Sequence, residues 1–346
     1  MPVSPRSALV LQGGGALGAY ELGAARRLYQ DADFAPEVIA GVSIGAITAV
    51  LLARPARGLT PLEALERFWA EVSVSGWLFP PVFRPYASVF GNPHFFMPRL
   101  DLIDLPGWTS LYDTRPLRRT LEGLVDLEAL ADHTALPRLL VSATDIEAGQ
   151  IAYFDSAVAG LNLSHIMASG SLPPSFPMTL IDGRAYWDGG LFDNTPLGPV
   201  LDALGDGAPD ERRIYVVNLF PNQAPVPQTM AEVAERSLNL QFANRTREDL
   251  KLMARFDEVA RLVELLQGLP QDDPIRKEPA FQAILGRHYV RAPQIVDITR
   301  PEQAGAYDGM DFSPATIEAR AAEGYAQTDI ALERRGLARG AVDRAA

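Results

Sequence analysis

The sequence predicts an α/β fold in which mostly parallel strands are flanked by helices, with a mainly helical C-terminal extension. Short apolar runs alternate with helix-forming segments over residues 8–220, a pattern typical of crossover units on a parallel sheet. The proline-rich stretch 221–227 then gives way to residues 228–340, in which apolar residues recur at helical spacing. A hydrophobic content of 47% in 346 residues supplies a sizeable core. We therefore predict an α/β domain over 8–220 and a mainly helical module over 228–340.

Individual elements can be placed along both parts. We expect strands at 8–11, 38–40, 138–143 and 150–154, in a hairpin around 179–187, and at 213–219. In the C-terminal module, residues 230–269 predict one or two amphipathic helices with a solvated face of mixed charge, and 295–298 predict a late strand. Pro314 behind Ser313 is typical of a capped helix start, and we expect 334–346 to fray.

A segment with the pattern Gly-x-Ser-x-Gly lies at 41–45, between a predicted strand and a helix-forming apolar run. The order strand, sharp turn, helix would lift the hydroxyl of Ser43 clear of the sheet, as in serine hydrolases. Gly41 and Gly45 would let neighbouring backbone approach where a Cβ would collide. The alternative is a turn of small residues with an incidental serine, because five residues alone discriminate weakly.

Glycines also end the first predicted strand, in the run Gly-Gly-Gly-Ala-Leu-Gly at 13–18. Such a loop turns backbone N–H groups outward at a helix N-terminus, where negative charge is favoured. Four amides would together form an oxyanion hole, those of Gly13, Gly14, Gly15 and Ile44. The run also fits the dinucleotide-binding pattern Gly-x-Gly-x-x-Gly. That pattern requires an acidic residue at the end of the second strand. The Ser43 elbow lies there instead, so we rank nucleotide binding below anion stabilisation.

An aspartate followed by two glycines, at 188–190, comes after the predicted hairpin and begins a loop rich in turn-forming residues. Asp188 would be presented at a strand end with its carboxylate free of local crowding. Asp-Gly is also one of the commonest turn pairs, and most such pairs do no chemistry. The chain has four histidines, none of them in a turn-rich segment of this kind: His94, His133, His165 and His288. A Ser43–Asp188 dyad is therefore the economical interpretation, with His165 the strongest remaining alternative base.

The glycine-rich run, the elbow and the Asp-Gly-Gly block resemble, in this order, those of the patatin-like lipid acyl hydrolases, relatives of cytosolic phospholipase A2. A further stretch at 168–177 resembles the family's Ala-Ser-x-x-x-Pro segment between the elbow and the aspartate. The resemblance covers about residues 9–219 and implies a patatin-like sheet of mostly parallel strands. The C-terminal third resembles the extra module found after the catalytic domain in some bacterial patatin-like proteins.

The resemblance also implies a reaction. Ser43 would be the nucleophile, Asp188 the base, and the amides around Gly14 and Gly15 the oxyanion hole, with an acyl-enzyme hydrolysed by water. Carboxylates are weak bases, so burial would have to raise the pKa of Asp188. No metal is needed and we expect no cofactor. The expected substrates are acyl esters of lipids; intracellular storage polyesters such as polyhydroxyalkanoates are the alternative with the same dyad, and a non-catalytic lipid-binding protein is a third class.

Residues 76–112 form an insertion that is dense in proline and aromatic side chains and has little periodicity. This segment would be a lid or acyl-chain-binding loop that contacts lipid, or an insertion whose aromatic side chains pack back on the body. Both interpretations can hold at once.

Charge and composition limit the partners and the location. A formal net charge of −12 argues against nucleic acid and against electrostatic adsorption to anionic lipid, so any transient peripheral membrane contact would be apolar. The absence of cysteine excludes disulfides, thiolate metal sites and a cysteine nucleophile. With no secretory-signal pattern and no apolar stretch of about 18 residues, we expect a cytoplasmic protein that can touch a membrane or a lipid or polyester granule. The C-terminal helices offer a surface for a homo-oligomer.

Overall fold

The computed structural model describes residues 5–75, 88, 90–101, 107–205, 207–220, 225–285, 292–301 and 308–337. Within this part of the chain the strands are β1 Arg6–Leu11, β2 Val38–Gly41, β3 Met97–Pro98, β4 Tyr112–Asp113, β5 Arg138–Asp145, β6 Gln150–Asp155, β7 Thr179–Ile181, β8 Arg184–Asp188, β9 Arg212–Asn218 and β10 Gln294–Thr299. The helices are α1 Ala19–Leu28, α2 Ile44–Ala53, α3 Pro61–Glu71, α4 Arg115–Leu124, α5 Leu127–Ala131, α6 Leu163–Ser169, α7 Leu197–Leu204, α8 Met230–Gln267, α9 Pro279–Leu285 and α10 Pro314–Arg334.

The centre of the molecule is one mixed sheet. Its strand order is β10-β9-β1-β2-β5-β8-β7, and β6 pairs separately with β5. The five strands from β10 to β5 are parallel, whereas β6 and the β7–β8 hairpin run antiparallel to their neighbours. The predicted α/β fold, with mostly parallel strands flanked by helices, is thereby confirmed. Each predicted strand is present, and the hairpin lies at the sheet edge.

Helices cover both faces of the sheet because the strands are apolar on both sides. Residues of one parity, such as Leu9, Ile39 and Val217, pack into the larger core with α1, α2, α3 and α10. The alternate residues, such as Val10 and Ala40, pack under α7 in a second core. Because these strands are parallel, their carboxyl ends lie along one edge of the sheet, which is where ligands bind in open α/β sheets.

The C-terminal part contributes to the same sheet. The predicted late strand is confirmed as β10, which pairs in parallel with β9, so the sheet continues across the boundary predicted at 221–227. Residues 230–267 form a single helix, where the sequence allowed one or two. The predicted helix start at Ser313 is confirmed by α10, whose N-cap is that residue.

Helix α10 lies unusually close to α1. A Cβ added to Gly23 would lie 1.8 Å from the Ala321 carbonyl oxygen, and one added to Gly324 would lie 2.0 Å from that of Tyr20. Each glycine therefore admits the backbone of the opposite helix, and neither position tolerates a side chain without a shift.

The aromatic insertion is described in part. About half of the predicted lid, residues 76–87, 89 and 102–106, lies outside the described residues, and with it Trp77, Phe79, Phe83 and Tyr86. Phe95 and Phe96 are buried in the main core, as expected for side chains that pack back on the body. Among the described residues, no helix is both long and apolar enough to cross a membrane.

Candidate active site

Ser43 occupies a strained turn between β2 and α2. Its backbone has φ 55° and ψ −122°, which is rare for a residue with a side chain and is typical of functional sites. The flanking glycines are required sterically, because a Cβ on Gly41 would lie 2.1 Å from the Gly45 carbonyl oxygen and one on Gly45 would lie 2.4 Å from that of Leu11. The Ser43 amide donates to Ser169 Oγ at 2.9 Å, which ties the elbow to the Ala-Ser segment.

Asp188 ends β8 and is buried, with 3% of its surface exposed. It lines the same cavity as Ser43, close enough for the serine hydroxyl to lower its pKa, and its Oδ1 accepts from the Gly190 amide at 2.8 Å. Its backbone is fixed as well, since its amide donates to Ser171 O at 3.0 Å and its carbonyl accepts from Thr144 Oγ1 at 2.8 Å.

Burial dominates the electrostatics of this aspartate. Loss of solvation raises the pKa of Asp188 to about 6, although the nearby Ser43 hydroxyl and the Gly190 amide act in the opposite direction. At neutral pH the carboxylate is ionised, yet it is a stronger base than an ordinary aspartate.

The glycine-rich loop lies beside this pair, but its first amide is already engaged. Gly13 N–H donates to Asn194 Oδ1 at 3.1 Å, and Asn194 Nδ2 donates back to Gly13 O at 3.1 Å. Because this amide is engaged by the Asn194 side chain, we retain only the amides of Gly14, Gly15 and Ile44 as proposed oxyanion donors. The amides of Gly14, Gly15 and Ile44 have no hydrogen-bond acceptor among the described residues, and Gly15 has a left-handed φ of 59°.

Gln12 joins the elements around the loop. This buried side chain accepts from the Leu219 amide at 2.7 Å through Oε1, and its Nε2 donates to Thr195 Oγ1 at 3.1 Å and to Phe242 O at 3.4 Å. The ends of β1 and β9, the loop after Asp188, and α8 are thereby held together.

A cavity of about 320 Å³ opens onto these groups. Ser43, Asp188, Gly14 and Gly15 lie on its wall, and most of the remaining wall is apolar. Aromatic rings from three separate parts of the chain contact one another there, with centroids 5.3 to 6.3 Å apart; these are Phe95, Phe96, Phe176 and Phe312. The pocket can therefore hold a hydrocarbon chain next to the serine.

Two titratable side chains outside the proposed dyad, those of His165 and Asp145, have structural surroundings. His165 Nδ1 accepts from the Asn162 amide at 3.0 Å in a helix cap, and burial lowers the pKa of this imidazole. Asp145 accepts from the Ala148 amide and pairs with Arg184, and these contacts lower its pKa. Of the described histidines, none lines the cavity, and His288 lies outside the described residues.

Two residues near the site, Asn194 and Arg320, were not identified from the sequence. Asn194 belongs to the turn-rich loop that follows Asp188, where its amide gave no separate signal. Arg320 lies on the buried face of α10 with Ile317, Ala321 and Gly324. A single charge at a buried-face position of an amphipathic helix is the signal that would have singled it out.

The sequence analysis expects no metal site. Among the described residues, no group of three or more histidine or acidic side chains comes together in a way that would hold a metal ion.

Comparison with known proteins places the chain in a family. The model of the family described as patatin-like phospholipase matches residues 9–201, which is more than half of the chain. A second family model, described as patatin phospholipase, matches residues 240–341. The chain therefore belongs to the patatin-like phospholipases, a family of lipid acyl hydrolases.

Solved structures give weaker likenesses. VipD from Legionella pneumophila is 16% identical, with 96% of this chain and 67% of that chain covered and a TM-score of 0.45. The type III effector ExoU is 17% identical, with 98% and 55% covered and a TM-score of 0.36. The ExoU–SpcU complex from Pseudomonas aeruginosa is 15% identical, with 97% and 52% covered and a TM-score of 0.40. This chain thus spans little more than half the length of the ExoU chains. No curated protein matches it.

Proposed function

We propose that this protein is a serine acyl hydrolase that cleaves carboxylic esters of lipids through a Ser43–Asp188 dyad and an acyl-enzyme. The observation that carries the proposal is the placement, on one cavity wall, of a serine in a strained elbow and a buried aspartate whose pKa is raised to about 6. A hydroxyl needs an adjacent base to become nucleophilic, and this carboxylate is both adjacent and basic enough to act near neutral pH.

The proposed reaction has two halves. Asp188 takes the Ser43 proton as Oγ bonds to the ester carbonyl carbon, and the negative oxygen is stabilised by the amides of Gly14, Gly15 and Ile44. The tetrahedral intermediate collapses by breaking the bond to the alcohol oxygen, which receives the proton from Asp188. Water then attacks the acyl-enzyme while Asp188 takes its proton, and the proton returns to Ser43 as the fatty acid leaves.

The apolar walls of the cavity favour a lipid substrate. Its aromatic and aliphatic side chains provide a site for an acyl chain, next to the hydroxyl that would attack the ester. A depolymerase of storage polyesters would use the same dyad, so the substrate panel should contain phospholipid, lysophospholipid and polyhydroxyalkanoate.

A fluorophosphonate probe tests the dyad directly. Intact mass should show a single adduct on the wild type, no adduct on Ser43→Ala, and labelling slowed by about 100-fold or more in Asp188→Asn. Asp145→Asn is the matched control, because this aspartate lies outside the cavity, and it should label at the wild-type rate.

Three results would overturn the proposal. Labelling that survives in Ser43→Ala would exclude this serine as the nucleophile, and normal labelling of Asp188→Asn would exclude the aspartate as its base. Absence of any adduct on folded wild type, with and without detergent micelles, would favour the non-catalytic lipid-binding class.

A further inference from the structure

We propose that Arg320, on the C-terminal helix α10, is a positioning residue for the oxyanion hole. The inference rests on the proposed function and adds a role for the part of the chain that follows the predicted α/β domain. It is carried by the contacts that this side chain makes with the glycine-rich loop.

Arg320 bridges two backbone segments beside the site. It is 5% exposed, and its Nη1 donates to Ala16 O at 3.0 Å and to Asp311 O at 3.1 Å. Ala16 belongs to the short 3-10 turn Gly15–Gly18, which begins at a proposed oxyanion donor. The guanidinium therefore connects the glycine-rich loop to residues 308–312, which we call the strap.

Two of the three proposed donors, the amides of Gly14 and Gly15, lie between two anchors. Asn194 holds the loop at Gly13 through a pair of hydrogen bonds, and Arg320 holds it at Ala16. Directly after the second anchor, Leu17 N–H donates back to Gly14 O at 3.2 Å. The directions of the Gly14 and Gly15 amides are thus fixed from both sides, and removal of either anchor frees the loop to rotate.

The strap also contacts the loop directly. A Cβ on Gly15 would lie 2.6 Å from the Gly309 carbonyl oxygen, so the strap backbone lies against Gly15 where only glycine fits. The strap is held in turn by the Val74 amide, which donates to Phe312 O at 2.9 Å, and by Ser88 Oγ, which donates to Met310 O. A displaced strap would therefore displace Gly15.

Arginine suits this task better than lysine. Hydrogen bonds from a charged donor are stronger than neutral ones, and the planar guanidinium holds its N–H groups in fixed directions. A lysine at 320 would keep the charge but lose that geometry. Because oxyanion donors act only when aimed at the developing negative charge, misdirected amides would slow the chemical step more than they weaken substrate binding.

The test compares two buried arginines in the full-length chain. Arg212 is fully buried and donates to Gly205 O at 2.9 Å and Gly207 O at 2.8 Å, but it begins β9 at the end of the sheet away from the site. Arg320→Lys, Arg320→Met, Arg212→Lys and Arg212→Met should be compared by thermal unfolding and by kcat and KM on one ester substrate, well below the lowest melting temperature.

We expect all four variants to lose stability and only those at 320 to lose kcat. Arg320→Met should lower kcat by about 100-fold and Arg320→Lys by about 10-fold, with KM changed less than about threefold, since loss of a single oxyanion donor typically costs about 10²- to 10³-fold. If the methionine variants do not fold, the two lysine variants decide the question.

Two results would overturn the inference. One is equal loss of kcat in the 320 and 212 variants, and the other is a wild-type kcat in a folded Arg320→Lys or Arg320→Met protein. Ser43→Ala measured alongside separates the two proposals, because activity that survives in Ser43→Ala contradicts the dyad itself, whereas its loss beside a normal Arg320 variant contradicts only the positioning role.

Discussion

Ser43 and Asp188 are both held in states that are unfavourable for their residue type. The serine has a left-handed backbone conformation, and the aspartate is an acid buried with its charge. Each state costs free energy that the surrounding structure must offset. The Ser43 amide is held by Ser169, and the Asp188 backbone is held by Thr144 and Ser171. These neighbours bring together two residues that lie 145 positions apart in the sequence.

The raised pKa of Asp188 predicts the pH dependence of hydrolysis. Below pH 6 the aspartate is protonated and cannot accept the serine proton, so kcat/KM should rise tenfold per pH unit up to about pH 6 and level off above it. A pH–rate profile checks this expectation. His165→Gln should show the same rise of kcat/KM with pH. If the rise disappears in this variant, the base is the histidine and not the aspartate.

The same pKa shift predicts a stability effect with a definite sign. Burial raises the pKa of Asp188 from 3.8 to about 6, so the folded state binds a proton more tightly than the unfolded chain, and the ionised form is destabilising above pH 6. Asp188→Asn should therefore raise the free energy of unfolding at pH 8 by up to about 3 kcal/mol. The gain should shrink as the pH falls through 6 and vanish below about pH 4.

Urea unfolding of the wild type and Asp188→Asn at pH 8 and pH 4 measures this difference. A gain of equal size at both pH values, or a loss at pH 8, would show that the aspartate is not held as a destabilised carboxylate.

At the scale of elements, the close packing of α1 on α10 leaves no space for an added side chain at the contact. Gly23→Ala would place a methyl group 1.8 Å from the Ala321 carbonyl oxygen, so the helices must separate. We expect a loss of at least about 2 kcal/mol in the free energy of unfolding. Because α10 carries Arg320, we also expect a lower kcat, although Gly23 does not line the cavity.

Gly123→Ala is the matched control for this substitution. Gly123 also lies inside a helix, α4, but nothing lies within 4 Å of an added Cβ. Alanine there should stabilise the protein by about 0.5–1 kcal/mol and leave kcat unchanged. Chemical denaturation and steady-state kinetics of the two variants provide the comparison, and equal stability of the two would contradict the close packing of α1 on α10.

Local patterns in the sequence were sufficient to predict the strands and helices, but not which strands pair with one another. The strand before the elbow, the hairpin before Asp188 and the late strand at 295–298 are each encoded by apolar periodicity and turn residues within a few positions. Periodicity indicates that a segment is a strand and leaves open which strand it pairs with. The place of β10 beside β9, in the central sheet, could not be predicted for this reason.

At the scale of the whole molecule, the candidate site is assembled from distant parts of the chain. The motif at 41–45 and the aspartate at 188 could be read from sequence because each has its own pattern of glycines. The contacts of Gly13 could not be predicted from the sequence, because its hydrogen bonds to Asn194 depend on how two loops meet. The aromatic wall of the pocket is similar, since Phe95 and Phe312 become neighbours only when the sheet and α10 are in place.

The bond between Arg320 and Ala16 joins residues 304 positions apart. During synthesis, Ser43, Asp188 and the glycine-rich loop all leave the ribosome well before α10 does. Contacts that span so much of the chain form late, because the entropy of closing the intervening loop must be overcome first. A nascent chain would therefore carry its proposed nucleophile and base long before the loop beside them is locked. We expect the proposed ester hydrolysis to reach its full rate only once α10 has been translated and has docked on α1.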